Sequence, residues 1–177
     1  MVKKVLILSG SPRKNGNSDY LCEKFFEGAV EAGHDVEKIF ISDRKIGYCR
    51  ACYACQKLGK CAINDDMQEI LPKIIDADVL VFASPVYFYS INAQIKTVLD
   101  RTVARWTEIK DKEFFYILTA AEGREIMERA VECFRGYADC FKGSVERGVL
   151  CAHGLYQKDE AKTSEYPAIA YEMGKSV

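Results

Sequence analysis

Val5-Leu6-Ile7-Leu8-Ser9-Gly10-Ser11-Pro12-Arg13-Lys14-Asn15-Gly16-Asn17-Ser18 is the stretch on which the fold turns. Its first four residues form a continuous apolar run that stops at Ser9-Gly10-Ser11-Pro12, a cluster of turn formers. A short run that is apolar at every position suits a central parallel strand buried on both faces. Beyond the turn, Leu21, Cys22, Phe25, Phe26 and Ala29 recur at helical spacing through 18–32, and Gly33 closes the helix. The opening of the chain therefore reads as strand, polar loop and amphipathic helix.

The same alternation continues to the end. Further strands are predicted over 36–41, 79–83, 114–118 and 145–151. Between them lie three helical stripes. The first is Met67, Ile70, Leu71, Ile74 and Ile75, with Pro72 expected in the first turns. The second runs from Ile91 through Ile95, Val98 and Leu99 to Val103, and the third from Ile126 to Phe141. A weaker helix follows Glu160. Five strands alternating with helices predict right-handed βαβ units and a doubly wound α/β fold with a five-stranded parallel sheet. No repeat, low-complexity tract or linker interrupts the pattern. A single domain over 1–177 is expected, with an aperiodic, cysteine-rich loop at about 44–65.

Composition narrows the function. Hydrophobic residues make up 49% and charged residues 29%, with a formal net charge of -1. That balance argues against a nucleic-acid binder, which needs clustered positive charge for the phosphates. No apolar run is long enough for a membrane span or a signal segment, so a cytoplasmic location and no membrane partner are expected. The chain has eight cysteines. In a reducing compartment such a count points to metal or redox chemistry before disulfides.

In doubly wound sheets, ligands bind beyond the carboxyl ends of strands, where the strand order reverses. The loops after the first, third and fourth strands are therefore the candidates. The first, Gly10 to Ser18, is neither a dinucleotide fingerprint nor a Walker A loop: Pro12 replaces a required glycine, and Asn17 stands where lysine is needed. It remains a turn rich in hydroxyl and amide groups at a helix N-terminus, a setting that binds phosphate. The plainer reading is a helix cap by Asn17 or Ser18. After the third strand comes Ser84-Pro85-Val86-Tyr87-Phe88-Tyr89-Ser90. Three consecutive aromatics there suit a flat heteroaromatic partner, or packing against a helix or a second subunit. After the fourth strand, Thr119-Ala120-Ala121-Glu122-Gly123 is small enough for its backbone to approach such a ring.

In order and spacing these pieces resemble the flavodoxin-like NAD(P)H-dependent FMN reductases. The resemblance rests on Gly10-Ser11-Pro12-Arg13 with Asn17-Ser18, Cys61 before Asp65-Asp66-Met67, and Ser84-Pro85-Val86-Tyr87-Phe88 continuing to Ala93-Gln94-Ile95-Lys96 and Asp100-Arg101. It implies strand order 2-1-3-4-5 with FMN at the switch point. Ser11, Arg13, Asn17 and Ser18 would then hold the phosphate, and Pro85, Val86, Tyr87 and Phe88 would line the isoalloxazine. Thr119 and Gly123 would approach its polar edge. The implied activity takes hydride from NAD(P)H and passes electrons to a small-molecule or protein acceptor, in a homodimer or homotetramer. Hydride transfer to flavin asks little acid–base chemistry of the protein, so no catalytic side chain is assigned. Asp100 and Arg101 look like a structural pair. A flavodoxin-type electron carrier is the competing reading, which the near-neutral charge disfavours.

Cys49-x₂-Cys52-x₂-Cys55-x₅-Cys61 places four thiols on one loop. The bacterial ferredoxin run is similar but has a shorter last gap and a following proline, whereas structural zinc sites usually join two separated pairs. The spacing is similar to the compact motif of the iron–sulfur flavoproteins, a branch of the same family, which implies a [4Fe–4S] cluster near FMN. Zinc, or no metal at all, stays open. Cys22, Cys133, Cys140 and Cys151 read as buried small hydrophobes.

Overall fold

A computed structural model describes residues 1–177. At its centre, β1 (Lys4–Ser9) pairs in parallel with β2 (Asp35–Phe40) on one side and β3 (Val79–Tyr87) on the other. Outward from β3 lie β5 (Glu113–Thr119) and the edge strand β6 (Val145–Ala152), also parallel. The order is β2-β1-β3-β5-β6. Counting only these five long strands, this is the expected 2-1-3-4-5 of a flavodoxin-like, doubly wound α/β fold. One strand was not foreseen. β4 (Ser90–Ile91) folds back antiparallel on the end of β3, which runs on to Tyr87 instead of ending at Ala83.

Helices cover both faces, as a fully parallel sheet requires. α1 (Asn17–Glu31) and α6 (Tyr166–Lys175) lie on one face, where Leu21, Phe25 and Ala170 meet Val5, Ile7, Val79 and Val81. On the other face are α3 (Met67–Asp76), α4 (Ala93–Arg101) and α5 (Glu128–Ala138). There Ile74, Ile95, Val98 and Phe134 meet Leu6, Leu8, Leu80 and Phe82. Successive strand residues thus serve opposite cores, which is why the strands are apolar throughout rather than alternating. Pro72 sits in the second turn of α3 without ending it. The short α2 (Ala54–Leu58) is the only helix in the cysteine-rich segment.

α1 and α6 touch backbone to backbone. A Cβ at Gly28 would collide with the Tyr171 carbonyl, and one at Gly174 with the Phe25 carbonyl. This contact holds the C-terminal helix down and fixes the path of 153–165, the segment that returns across the carboxyl edge of the sheet. No helix is long and apolar enough to cross a membrane.

Candidate functional site

β1 and β3 are neighbours, but their following helices, α1 and α4, go to opposite faces. The crevice this leaves at their carboxyl ends is the switch point of the fold. Gly10 crosses it closely: an added Cβ would lie 2.7 Å from the Ala83 carbonyl oxygen and 2.9 Å from the Ile95 Cβ. The Gly10 N–H donates to that carbonyl at 2.9 Å, and the buried Asn92 amide donates to the Gly10 carbonyl. Asn92 also caps α4 and accepts from Ser84 Oγ, so one side chain ties the loop after β1 to the loop after β3.

Gly16 caps α1, and neither Asn17 nor Ser18 does. Their side chains have other partners. Ser18 Oγ lies 2.6 Å from Thr119 Oγ1, joining the loops after β1 and β5. Asn17 Nδ2 donates to the Gln157 carbonyl at 2.8 Å, and its Oδ1 accepts from the Ala161 N–H at 3.2 Å. Asn17 therefore draws the segment after β6 over the crevice. Ser11 Oγ donates to the Arg13 carbonyl at 2.8 Å and accepts from the Arg13 N–H at 3.2 Å, closing a tight turn. Beneath it, buried Asp19 accepts from Ser9 Oγ, the Asn15 N–H and Lys38 Nζ, each at 2.9 Å. The loop is thus held from below, while the first N–H groups of α1 have no intrahelical acceptor and remain for a ligand.

The resulting cavity has a volume of ≈ 230 Å³. Ser11, Arg13, Asn17 and Ser18 form one wall, Pro85, Val86 and Tyr87 another, and Thr119 a third. Phe88 and Gly123 do not line it. Phe88 is 99% exposed, and Gly123 begins a short 3₁₀ turn over Arg124–Ile126. Leu155 and Tyr156 close the remaining side and were not anticipated. They follow β6, an edge strand away from the switch point, and are held there by the Asn17 bonds and by the Leu155 N–H, which donates to the Ala120 carbonyl at 2.9 Å.

The aromatic loop is a two-residue hairpin. Tyr87 pairs with Ser90, and the residues between them, Phe88 and Tyr89, have φ of 49° and 64°. Positive φ at both central positions is the type I′ arrangement, which favours Asn-Gly and penalises bulky side chains. Two aromatics held in this conformation run against their local preference. Tyr89 lies under the Arg129 guanidinium, 5.7 Å from its ring centre.

A second cavity, of ≈ 240 Å³, adjoins the C-terminal end of α4, and Cys49, Cys52, Cys55 and Cys61 all line it. The four sulfurs are not gathered as a single-ion site. The loop contains two further strained residues, Ala51 (φ 50°) and Tyr53 (φ 56°). Its floor is Arg101, 1% exposed. Arg101 forks onto Asp65 at 2.6 and 2.9 Å and onto the Gly47 carbonyl at 2.6 Å. Arg101 is therefore not paired with Asp100, which bonds Lys96 on the surface instead. Burial opposes the Asp65 charge, but Arg101 and the N–H groups of Gly47 and Met67 outweigh it and hold the carboxyl below its usual range. Of the other cysteines, Cys22 and Cys151 are buried as expected, whereas Cys133 is half-buried and Cys140 exposed. Cys140 lies two residues beyond the end of α5, where the helical stripe no longer dictates burial.

A parallel sheet with a loop-lined crevice at its switch point defines the flavodoxin-like class of α/β proteins. Residues 3–145 match the NADPH-dependent FMN reductase family, and the chain belongs to it. Two similar relatives are iron–sulfur flavoproteins. The protein from Methanocaldococcus jannaschii is 40% identical over 99 residues, covering 56% of this chain and 51% of that one. The protein from Methanosarcina thermophila is 40% identical over 100 residues, covering 56% and 52%. Each match thus spans about half the length of the curated relative. The fold is shared with an NAD(P)H:quinone oxidoreductase from Methanothermobacter marburgensis at a TM-score of 0.79 and 20% identity, covering 99% of this chain and 96% of that one.

Proposed function

We propose that this chain is an FMN-dependent oxidoreductase that takes hydride from NAD(P)H and delivers electrons to a second acceptor. The observation that carries this reading is the crevice itself. One end offers the N-terminus of α1 with Ser11 and Arg13, chemistry suited to a phosphate. The other offers Pro85, Val86 and Tyr87, chemistry suited to a flat ring. FMN bound there supplies the exchange between two-electron and one-electron chemistry. The chain's own part would be to anchor the phosphate through Ser11, Arg13 and the α1 N-terminus, offer the backbone of Thr119 to Ala121 to the ring, and flank the remaining side with Leu155 and Tyr156. No side chain in the crevice is needed as a proton donor.

The cysteine cavity fits a [4Fe–4S] cluster better than zinc. Zn–S bonds of about 2.3 Å would require the four sulfurs to crowd round one point. Four thiols on one short loop lining a common cavity suit the separate irons of a compact cluster. In this reading Cys49, Cys52, Cys55 and Cys61 would hold the cluster, which would supply one-electron chemistry beside the flavin. Exposed Phe88, Tyr89, Val103 and Trp106 support assembly as a homodimer or homotetramer.

The test is the visible spectrum of anaerobically purified protein before and after NADPH. A flavin band over broad iron–sulfur absorbance, both bleaching, is expected. Flavin alone would remove the cluster from the reading, and a colourless protein that cannot be reconstituted with FMN would overturn it. The Tyr87→Ala protein should retain less FMN.

A further inference from the structure

Arg101 carries one feature that its ion pair with Asp65 leaves unused. Its Nη atoms bond Asp65 and Gly47, but Nε has no partner although the side chain is buried. A buried guanidinium N–H without an acceptor costs free energy, so an unfilled position of this kind asks for a ligand. Cys61 stands beside it. Cys61 and Arg101 together line the cysteine cavity and a smaller one behind it.

The rest of the fork matters equally. Gly47 lies two residues before Cys49, and Asp65 lies four residues after Cys61. One guanidinium therefore grips both ends of the four-cysteine loop and fixes them to the end of α4, a rigid element packed on the sheet. A planar fork can do this, and a lysine ammonium cannot.

We propose that Arg101 is the positioning residue of the cysteine site: it closes the loop through Gly47 and Asp65 and donates its Nε–H to the Cys61 sulfur when the cluster is bound. The inference rests on the cluster reading above. A donor and a positive charge at one ligand sulfur stabilise the more negative, reduced form, so Arg101 raises the cluster's reduction potential.

The experiment compares wild-type protein with Arg101→Lys and Arg101→Gln after anaerobic reconstitution with ferrous iron and sulfide. Iron and sulfide per chain, FMN occupancy and the cluster's midpoint potential are measured. Both variants should load less iron than wild type while keeping FMN, because the flavin crevice uses none of these bonds. In the loaded fraction, Arg101→Gln should shift the one-electron equilibrium at least tenfold toward the oxidised form, about 59 mV. Arg101→Lys, which keeps the charge, should shift it less. If Arg101→Gln does not fold, Asp65→Asn serves: the arginine stays, its carboxylate anchor is weakened, and loading should fall at constant FMN. Wild-type loading and potential in the variants would overturn the role of Arg101 alone. A wild-type protein that binds FMN and no iron would overturn the cluster reading and this one together.

Discussion

Replacing Phe88-Tyr89 with Asn-Gly tests whether the aromatic hairpin holds strain for a purpose. Both residues have φ in the left-handed region, 49° and 64°. For an L-residue with a Cβ that costs roughly 1–2 kcal/mol each, so the pair stores about 2–4 kcal/mol. Little packing is lost on replacement, since Phe88 is 99% and Tyr89 54% exposed. The Tyr89–Arg129 contact contributes about 0.5–1 kcal/mol at an exposed site. Glycine's extra freedom in the unfolded chain costs roughly another 0.5–1 kcal/mol. The net gain spans about 0–3 kcal/mol with its midpoint at roughly 1.5 kcal/mol, a rise in Tm of about 3–6 °C at that midpoint for a chain of this size. Thermal unfolding of FMN-free protein, followed by circular dichroism, reads the stability, and fluorescence titration reads FMN affinity. We expect a higher Tm with FMN affinity close to that of wild type, because neither Phe88 nor Tyr89 lines the crevice. An unchanged or lower Tm with the hairpin intact would refute the strain argument. A higher Tm with FMN affinity lost would show that the two aromatics reach the flavin despite lying outside the crevice wall.

Three further outcomes follow from buried groups. Asp65→Ala leaves Arg101 as an unpaired buried charge and should cost about 3–5 kcal/mol, read by urea unfolding at pH 7. The Asp65 carboxyl is held below its usual range, so its stabilisation is complete above the unfolded value of about 3.9 and is lost as pH falls through the lower folded value. The stability gap between wild type and Asp65→Asn should therefore close only in acid, and a gap constant from pH 7 to pH 2 would contradict the assignment. Burial pushes the Cys22 thiol up to about 12, so native, metal-free protein treated with iodoacetamide at pH 8 should be modified at exposed Cys49, Cys52 and Cys140 and spared at Cys22, as mass spectrometry will show. Asn17→Ala removes two bonds to the segment after β6 and should cost about 1–3 kcal/mol while quickening proteolysis near Tyr156; an unchanged cleavage rate there would mean that something else holds the segment.

Much of this protein is legible in its sequence because the determining physics is local and periodic. Strands buried on both faces must be apolar at every position, and Val5–Leu8 and Val79–Ala83 are. Helices packed on them must carry a stripe, and Phe25 and Ala29 or Val98 and Leu99 do. Chain order and the handedness of βαβ units then restrict the sheet to few arrangements, so the loops flanking the crevice follow from strand positions alone. The cysteine spacing is likewise local, because it brings four thiols onto one loop whatever surrounds them.

What depended on neighbours distant in sequence came only from the tertiary structure. Asn17 reads as a helix cap, since capping is the commonest local use of such a residue, yet its amide is taken by Gln157 and Ala161, which the docking of α6 on α1 and the Leu155 bond to Ala120 bring beside it. Arg101 reads as the partner of adjacent Asp100, but on a helix adjacent residues point in different directions, and Arg101 turns inward to Asp65. The left-handed Phe88-Tyr89 turn contradicts its own residue preferences and is imposed by the β3–β4 pairing. Sequence by itself determined the elements and the edge of the sheet where chemistry gathers, because periodicity encodes burial. The closing of the crevice by Tyr156 and the anchoring of the cysteine loop by Arg101 were decided in three dimensions, because a hydrogen bond between distant segments leaves no mark on the local pattern of either.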